Sequence, residues 1–266
     1  MAITTGDGYI ASAKQIVPIT KTASTTTVAA TRFSVFDKAG NPGAGTLALT
    51  TATTGVVPTD ATTGYPLLNA FGGSATGYLT RVQFASSVVG RLELWDRLFG
   101  INVSLAAAAT TTLASQASYA ARVPGGVYNG LRIFLEMTTA AAAATTVTVT
   151  YTNQDGTTGR TTGATASLSG FTVNRLVELP LQAGDSGVQK IETVVVGGTA
   201  GAGAVNVIVL RPLWTARVAI ANGGDVHGPD KTGMPVVYDT SALYLTCVPD
   251  STSTGVPDLN VEISNA

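Results

Sequence analysis

Thr145-Thr146-Val147-Thr148-Val149-Thr150-Tyr151-Thr152 alternates polar and apolar residues along its length. A strand sends successive side chains to opposite faces. Val147, Val149 and Tyr151 therefore share one face, and the threonines at 146, 148, 150 and 152 share the other. Threonine is β-branched and suits a strand without adding charge. Asn153-Gln154-Asp155-Gly156 follows, and Asp-Gly is a strong hairpin signal. The segment reads as a strand entering a hairpin.

The same period recurs on both sides of it. Tyr78 to Phe84 and Arg91 to Leu98 alternate, and Leu131, Ile133, Leu135 and Met137 fall on one face. Further strands are expected at 171–179, 188–196, 204–210, 213–220, 235–238, 242–248 and 258–263, with shorter ones at 32–36 and 46–50. A helical reading of 92–99 is open, but Gly90 and Gly100 bracket that run. The alanines at 106–109 are expected to nucleate a short helix through Ala114, because Ala is the best helix former. The alanines at 140–144 read as a loop or an Ala-lined strand edge, since a strong strand follows at once.

Short strands with Gly-rich links leave no room for the crossover helices of a parallel sheet. The expected class is all-β: an antiparallel, jelly-roll-like β-sandwich over residues 78–266. Short strands and a long loop over 31–77 pack on it, and an extended N-terminal arm covers 1–30. Within the arm, 14–19 reads as a short extended piece, since Pro18 blocks a helix there. Residues 22–30 have almost no apolar anchor, so they are expected to be disordered or to lie along a neighbouring subunit.

Only 12% of the 266 residues are charged, against an average of about 25%. The net charge of −1 gives no electrostatic case for nucleic acid or an acidic membrane. A surface this poor in ions suits a subunit whose faces are covered by neighbours. No apolar run approaches the roughly 20 residues needed to cross a bilayer. The start, Met1-Ala2-Ile3-Thr4-Thr5-Gly6, lacks the basic and apolar regions of a secretory peptide, so synthesis in the cytoplasm without export is expected. Cys247 is the one cysteine. It has no partner for an intramolecular disulfide or a Cys-type metal site, and its strand-like flanks predict a buried, inert thiol.

Few residues offer chemistry. His227, the only histidine, lies in Gly223-Gly224-Asp225-Val226-His227-Gly228-Pro229-Asp230, read as a polar loop between strands. One His with Asp225 and Asp230 does not define a transition-metal geometry, though a weak Ca²⁺ site from the carboxylates and loop carbonyls stays open. A Ser-His-Asp triad would need His227, and no Gly-x-Ser-x-Gly elbow precedes a helix. A Cys247–His227 pair has no supporting motif.

Glu93, Asp96, Glu136, Glu178 and Glu192 are the carboxylates available for a hydrolytic pair. Each lies in an alternating strand at a position expected to face solvent. Glu93 beside Arg91, and Glu136 near Arg132, suggest ion pairs instead. Gly197-Gly198-Thr199-Ala200-Gly201-Ala202-Gly203 lacks Gly-Lys-Ser/Thr and a following helix, so it reads as a hairpin tip, not a phosphate loop. Trp95, Trp214, Tyr128, Tyr151 and Phe171 read as packing residues before they read as a sugar platform. No residue is assigned a catalytic, cofactor-binding or metal-binding role.

Three stretches carry a resemblance. Thr59-Asp60-Ala61-Thr62-Thr63-Gly64-Tyr65-Pro66 leads to Gly77-Tyr78-Leu79-Thr80-Arg81-Val82. Arg91-Leu92-Glu93-Leu94-Trp95-Asp96-Arg97-Leu98 follows. Tyr151-Thr152-Asn153-Gln154-Asp155-Gly156-Thr157-Thr158-Gly159-Arg160 then precedes Leu181-Gln182-Ala183-Gly184-Asp185-Ser186-Gly187-Val188. Over about residues 55–215 the chain resembles virion structural proteins of tailed bacteriophages, of the capsid decoration or cement kind. The resemblance implies a β-rich trimer or other homo-oligomer on the outside of an icosahedral shell, bound to the major capsid protein and bridging subunits against internal DNA pressure. It transfers no catalytic motif. Residues 1–30 and the loop 51–77 are the segments expected to make capsid or inter-subunit contacts, with tips near 153–160, 197–203 and 222–233 facing solvent or neighbours. Alternative roles are a neck, tail, baseplate or head-fibre protein, a carbohydrate-binding module, and a hydrolase.

Overall fold

A computed structural model describes residues 3, 5–72 and 76–265. Residues 73–75 of the expected loop 51–77, residues 1, 2 and 4 of the expected arm, and residue 266 lie outside them. In chain order the elements are α1 Gly6–Ala11, β1 Ala13–Lys21, β2 Arg32–Ser34, β3 Gly40–Asn41, β4 Thr76–Ser86, β5 Gly90–Ser104, β6 Ala109–Thr112, β7 Arg132–Thr139 and β8 Val147–Asn153. Then come β9 Arg160–Thr161, β10 Arg175–Leu179, β11 Val188–Val196, β12 Ala204–Val218, β13 Gly223–His227, α2 Pro229–Thr232, β14 Val236–Tyr238, β15 Leu243–Pro249 and β16 Pro257–Asn265. The chain is nearly all β and antiparallel, as the alternation requires.

Two compact units divide the chain, on boundaries different from the 1–30, 31–77 and 78–266 segments read from sequence. The first comprises the described residues of 1–46, 59–96 and 213–266, and the second comprises 47–58 and 97–212. Strands β5 and β12 each contribute one part to each unit.

In the first unit, a sheet runs β13-β4-β16-β1-β3, with β14 also on β4. A second layer pairs β15 with β2 and with the first half of β5. Between the layers, Val17, Ile19, Leu79, Val82, Phe84, Leu259 and Val261 meet Leu92, Leu94, Leu213, Trp214 and Leu245. The expected arm is largely part of this unit. Residues 13–20 of β1 pair with residues 258–265 of β16, because Val17 and Ile19 alternate and bury. Thr25 and Thr27 are buried as well. Without apolar anchors they are fixed by hydrogen bonds: Thr25 N donates to Thr254 Oγ1 (2.9 Å), and Thr27 Oγ1 donates to the Ser251 carbonyl (2.9 Å).

In the second unit, β7 sits between β10 and β12, and a four-stranded sheet runs β6-β11-β8-β9. Ile133, Leu135 and Met137 from β7, Val205, Val207 and Val209 from β12, and Val147, Val149, Tyr151, Ile191 and Val194 from the other sheet form its core. The hairpin expected after Tyr151 is present, with β9 returning on β8.

Local expectations fail at identifiable points. Ala109–Thr112 is strand β6, not helix, since pairing with residues 193–196 of β11 outweighs the propensity of four alanines. Residues 46–50 form no strand. The expected strands 204–210 and 213–220 are one strand running through Pro212. The segment 197–203 links β11 to β12, which pair with other strands, so it is no hairpin tip.

Candidate functional site

The five carboxylates considered as acids or bases are placed by the strands that carry them. Both faces of β5 are covered, so Glu93 and Asp96 are buried, against the expectation that they face solvent. Glu93 accepts from Arg32 Nε (2.5 Å) and Nη2 (3.1 Å), and from Thr246 Oγ1 (3.0 Å); Arg91 Nε lies 2.8 Å away. Burial pushes its carboxyl up, but Arg32, with Arg91 and Thr246 behind it, outweighs that and holds it below the usual range. A general acid needs the opposite shift. Asp96 accepts from Ser241 Oγ (2.9 Å) and Ala242 N (3.1 Å). The Glu93–Arg91 pair expected from sequence exists, with Glu93 buried and Arg91 half exposed.

Glu136 pairs with Arg97, not with Arg132. Arg97 Nη2 lies 3.1 Å from Glu136 Oε2, and both side chains are 0% exposed. Asn206 Nδ2 also donates to Glu136 Oε2 (2.8 Å) and to the Leu47 carbonyl (2.7 Å), while Asn206 Oδ1 accepts from Leu49 N and Asn102 Nδ2. This network fixes residues 47–49 against β12. Arg132 pairs instead with Glu178 (3.4 Å), both half exposed. Glu192 accepts from Thr152 Oγ1 (2.8 Å) and Gly159 N (3.1 Å), closing the β8–β9 hairpin. Sequence reasoning overlooks Asp185. It accepts from Arg160 Nε (2.9 Å), Asn153 Nδ2 (2.8 Å) and Tyr151 OH (2.7 Å). Arg160 first, helped by Asn153 and Tyr151, brings its carboxyl down to about 2. Burial and the bond to Asp185 push the Tyr151 hydroxyl up to about 12.

His227 ends strand β13, not a loop, and pairs with Val82 of β4. Its Nδ1 accepts from Trp214 Nε1 (3.0 Å), and its ring meets the Phe84 ring edge-on at 5.0 Å. Asp225 lies 3.9 Å from His227 Nε2 and 3.6 Å from Lys231 Nζ. Among the described residues, no three His, Cys, Asp or Glu side chains gather as metal ligands. Trp95, Trp214 and Tyr151 are buried, so their rings form no exposed platform. Tyr128 meets the buried Tyr119 ring edge-on at 6.4 Å, and Phe171 carries the Arg175 guanidinium 3.7 Å above its ring. Cys247 is buried, and burial pushes its thiol up to about 12.

A different feature of the second unit faces outward. On β8, Val147, Val149 and Tyr151 point to the core, which turns Thr148 and Thr150 to the other face. The register extends that face across the sheet. Thr148 stands opposite Val195, and Val195 opposite Thr110; Thr150 stands opposite Thr193, and Thr193 opposite Thr112. Thr161 of β9 continues the second row beside Thr150. Six threonines and a valine thus form two rows of solvent-accessible, uncharged side chains. Among the described residues, no protein group hydrogen-bonds the hydroxyls of Thr110, Thr112, Thr148, Thr150 or Thr193. The alternation at 145–152 announces this face; its width depends on strands roughly 40 residues away on either side.

No protein-family profile matches the chain, and no curated protein matches it. Among solved structures, the VP2 subviral particle of infectious bursal disease virus aligns at 13% identity and a TM-score of 0.21, over 95% of this chain and 80% of that one. The Gx strain of the same virus aligns at 11% identity and a TM-score of 0.21, with the same coverage. At such TM-scores the likeness assigns neither topology nor role. Among the described residues, no helix is long and apolar enough to cross a membrane.

Proposed function

We propose that the chain is a non-enzymatic structural protein of a tailed-phage virion, decorating and stabilising the capsid exterior through self-assembly and contacts with the major capsid protein. The observation that carries this reading is the threonine face of the β6-β11-β8-β9 sheet. Burying these two rows against another protein surface strips water from hydroxyls, which can be matched one for one, while Glu192 and Lys190 lie beyond the rows beside Thr152. Standard interfaces use about one hydrogen bond per 100–200 Å², a density that such rows supply. The carboxylates support the same reading, since Glu93, Asp96, Glu136, Glu192 and Asp185 are engaged in holding strands together.

Quantitative mass spectrometry of purified virions tests the location. Hundreds of copies per particle are expected; six or twelve would assign the chain to the neck or tail. Thr148→Lys with Thr150→Lys tests the face. The double variant is expected to keep the thermal transition of the parent and to lose binding to shells. Undiminished binding would remove the face from the mechanism.

A further inference from the structure

Strand β6 ends the sheet β6-β11-β8-β9, and among the described residues its outer edge meets no other strand. The ladder determines which backbone groups point there. Leu113 N donates to the Glu192 carbonyl (2.8 Å), so 113 and 192 are a hydrogen-bonded pair. Such pairs alternate in an antiparallel ladder, which makes Thr111–Val194 and Ala109–Val196 the next ones. The N–H and C=O groups of Thr110 and Thr112 therefore point away from β11, into the open edge.

Three other edges, of β1, β13 and β9, are blunted. The free edge of β1 carries Lys14 and Pro18, and the Gln15 amide clasps the backbone of Asn69 (2.9 and 3.2 Å). On β13, Asp225 caps the N–H of Val226 (2.7 Å). On β9, Gln182 Oε1 takes the N–H of Thr161 (3.2 Å). Proline, charge and side-chain caps are the usual protection of an edge against pairing. Strand β6 has none of them among the described residues, and residues 98–121 around it contain no Asp, Glu, Lys or Arg.

We infer that the β6 edge is a pairing site for β6 of a second copy of this chain. The inference rests on the self-assembly part of the proposed function and gives it a surface. A two-fold axis makes two copies of one strand antiparallel. With Thr111 on the axis, Thr110 faces Thr112 of the other copy, and Thr112 faces its Thr110. Each of these pairs exchanges two N–H···O bonds, so all four outward groups of each strand are satisfied. The threonine rows then continue across the axis in an eight-stranded sheet. Uncharged flanks let the two copies approach without like-charge repulsion. A contact this short is weak in isolation and gains strength by repetition in an assembly.

Cysteine trapping reads the register. Across the axis the two Thr111 residues form a non-hydrogen-bonded pair with Cα atoms about 4.5 Å apart, within disulfide range. The native Cys247 is buried and gives no background. Under mild oxidation Thr111→Cys is expected to form a covalent dimer. Thr110→Cys and Thr112→Cys should each form no covalent dimer alone and cross-link when mixed. Sedimentation velocity on the parent protein runs beside this. If the parent associates but Thr111→Cys does not cross-link, or Thr110→Cys cross-links to itself as readily, the edge pairing is overturned and self-assembly through another surface stands. If the parent stays monomeric at every concentration and no variant cross-links, both the pairing and the self-assembly reading fail.

Discussion

Replacing Arg97 with Met would test how much of the second unit depends on its buried ion pair. Arg97 and Glu136 are both 0% exposed, with Nη2 and Oε2 3.1 Å apart. Two unit charges about 4 Å apart at an effective dielectric of about 20 attract by about 4 kcal/mol. Removing one partner also leaves a desolvated charge, and measured losses for such deletions are about 3–5 kcal/mol. That is a large fraction of the roughly 5–15 kcal/mol that holds a typical domain folded. Arg97→Met should therefore lower the urea midpoint by far-UV circular dichroism, with faster amide exchange in β7 and β12. Arg97→Met combined with Glu136→Leu removes both charges and should recover most of the loss, because well-packed apolar replacements of buried pairs are often neutral. A single variant that loses less than about 1 kcal/mol, or a double variant worse than the single, would show that the pair does not hold the second unit together.

Three further outcomes are expected. Thr246→Val removes the acceptor of Trp95 Nε1 (2.9 Å) and a donor to Glu93 (3.0 Å), and should cost about 1–3 kcal/mol in a urea melt. Asp185, held down to about 2, contributes stability that is present above its unfolded value of about 4 and is lost as pH falls through about 2. An acid titration of the parent should show that loss, and Asp185→Asn should flatten it; identical curves would remove Asp185 from acid stability. Cys247, with its thiol pushed up to about 12, should ignore a thiol reagent at about pH 8 in the native protein and react at once in strong urea.

Local pattern makes some elements legible. The alternation at 145–152 announces β8, and the strand expected at 188–196 has the bounds observed for β11. What stays illegible depends on distant partners. Gly100 reads as a stop after Leu98, yet β5 runs through it to Ser104. A Cβ at Gly100 would stand 2.2 Å from Leu49 Cδ1, so the glycine marks a close approach within a strand. Strand β1 reads only as an extended piece of an arm, because its partner β16 lies at the other end of the sequence. Glu93 and Asp96 depart from expectation for a related reason: alternation assumes one wet face, and β5 has none over most of its length. The arginines at 32, 91 and 97 are the available clue, since a buried carboxylate needs a cation nearby.

Charge is distributed in an unusual way in this protein, and this bears on the proposed self-assembly. Of 15 basic and 16 acidic residues, at least nine are buried among the described residues: Lys21, Asp60, Glu93, Asp96, Arg97, Arg122, Glu136, Arg211 and Glu262. The exterior is therefore even poorer in ions than the composition suggests, and hydroxyls such as those of the threonine rows supply its hydration. Hydroxyl and backbone contacts are short-ranged and hardly screened, whereas contacts between exposed ions weaken as the screening length falls from about 10 Å at 0.1 M salt to about 3 Å at 1 M. Association of this chain should accordingly change little when salt is raised over that range, as followed by sedimentation velocity. A steep loss of association with salt would mean that the few exposed ions, such as Arg217 and Asp250, carry the contact, and would undo the case for a threonine surface.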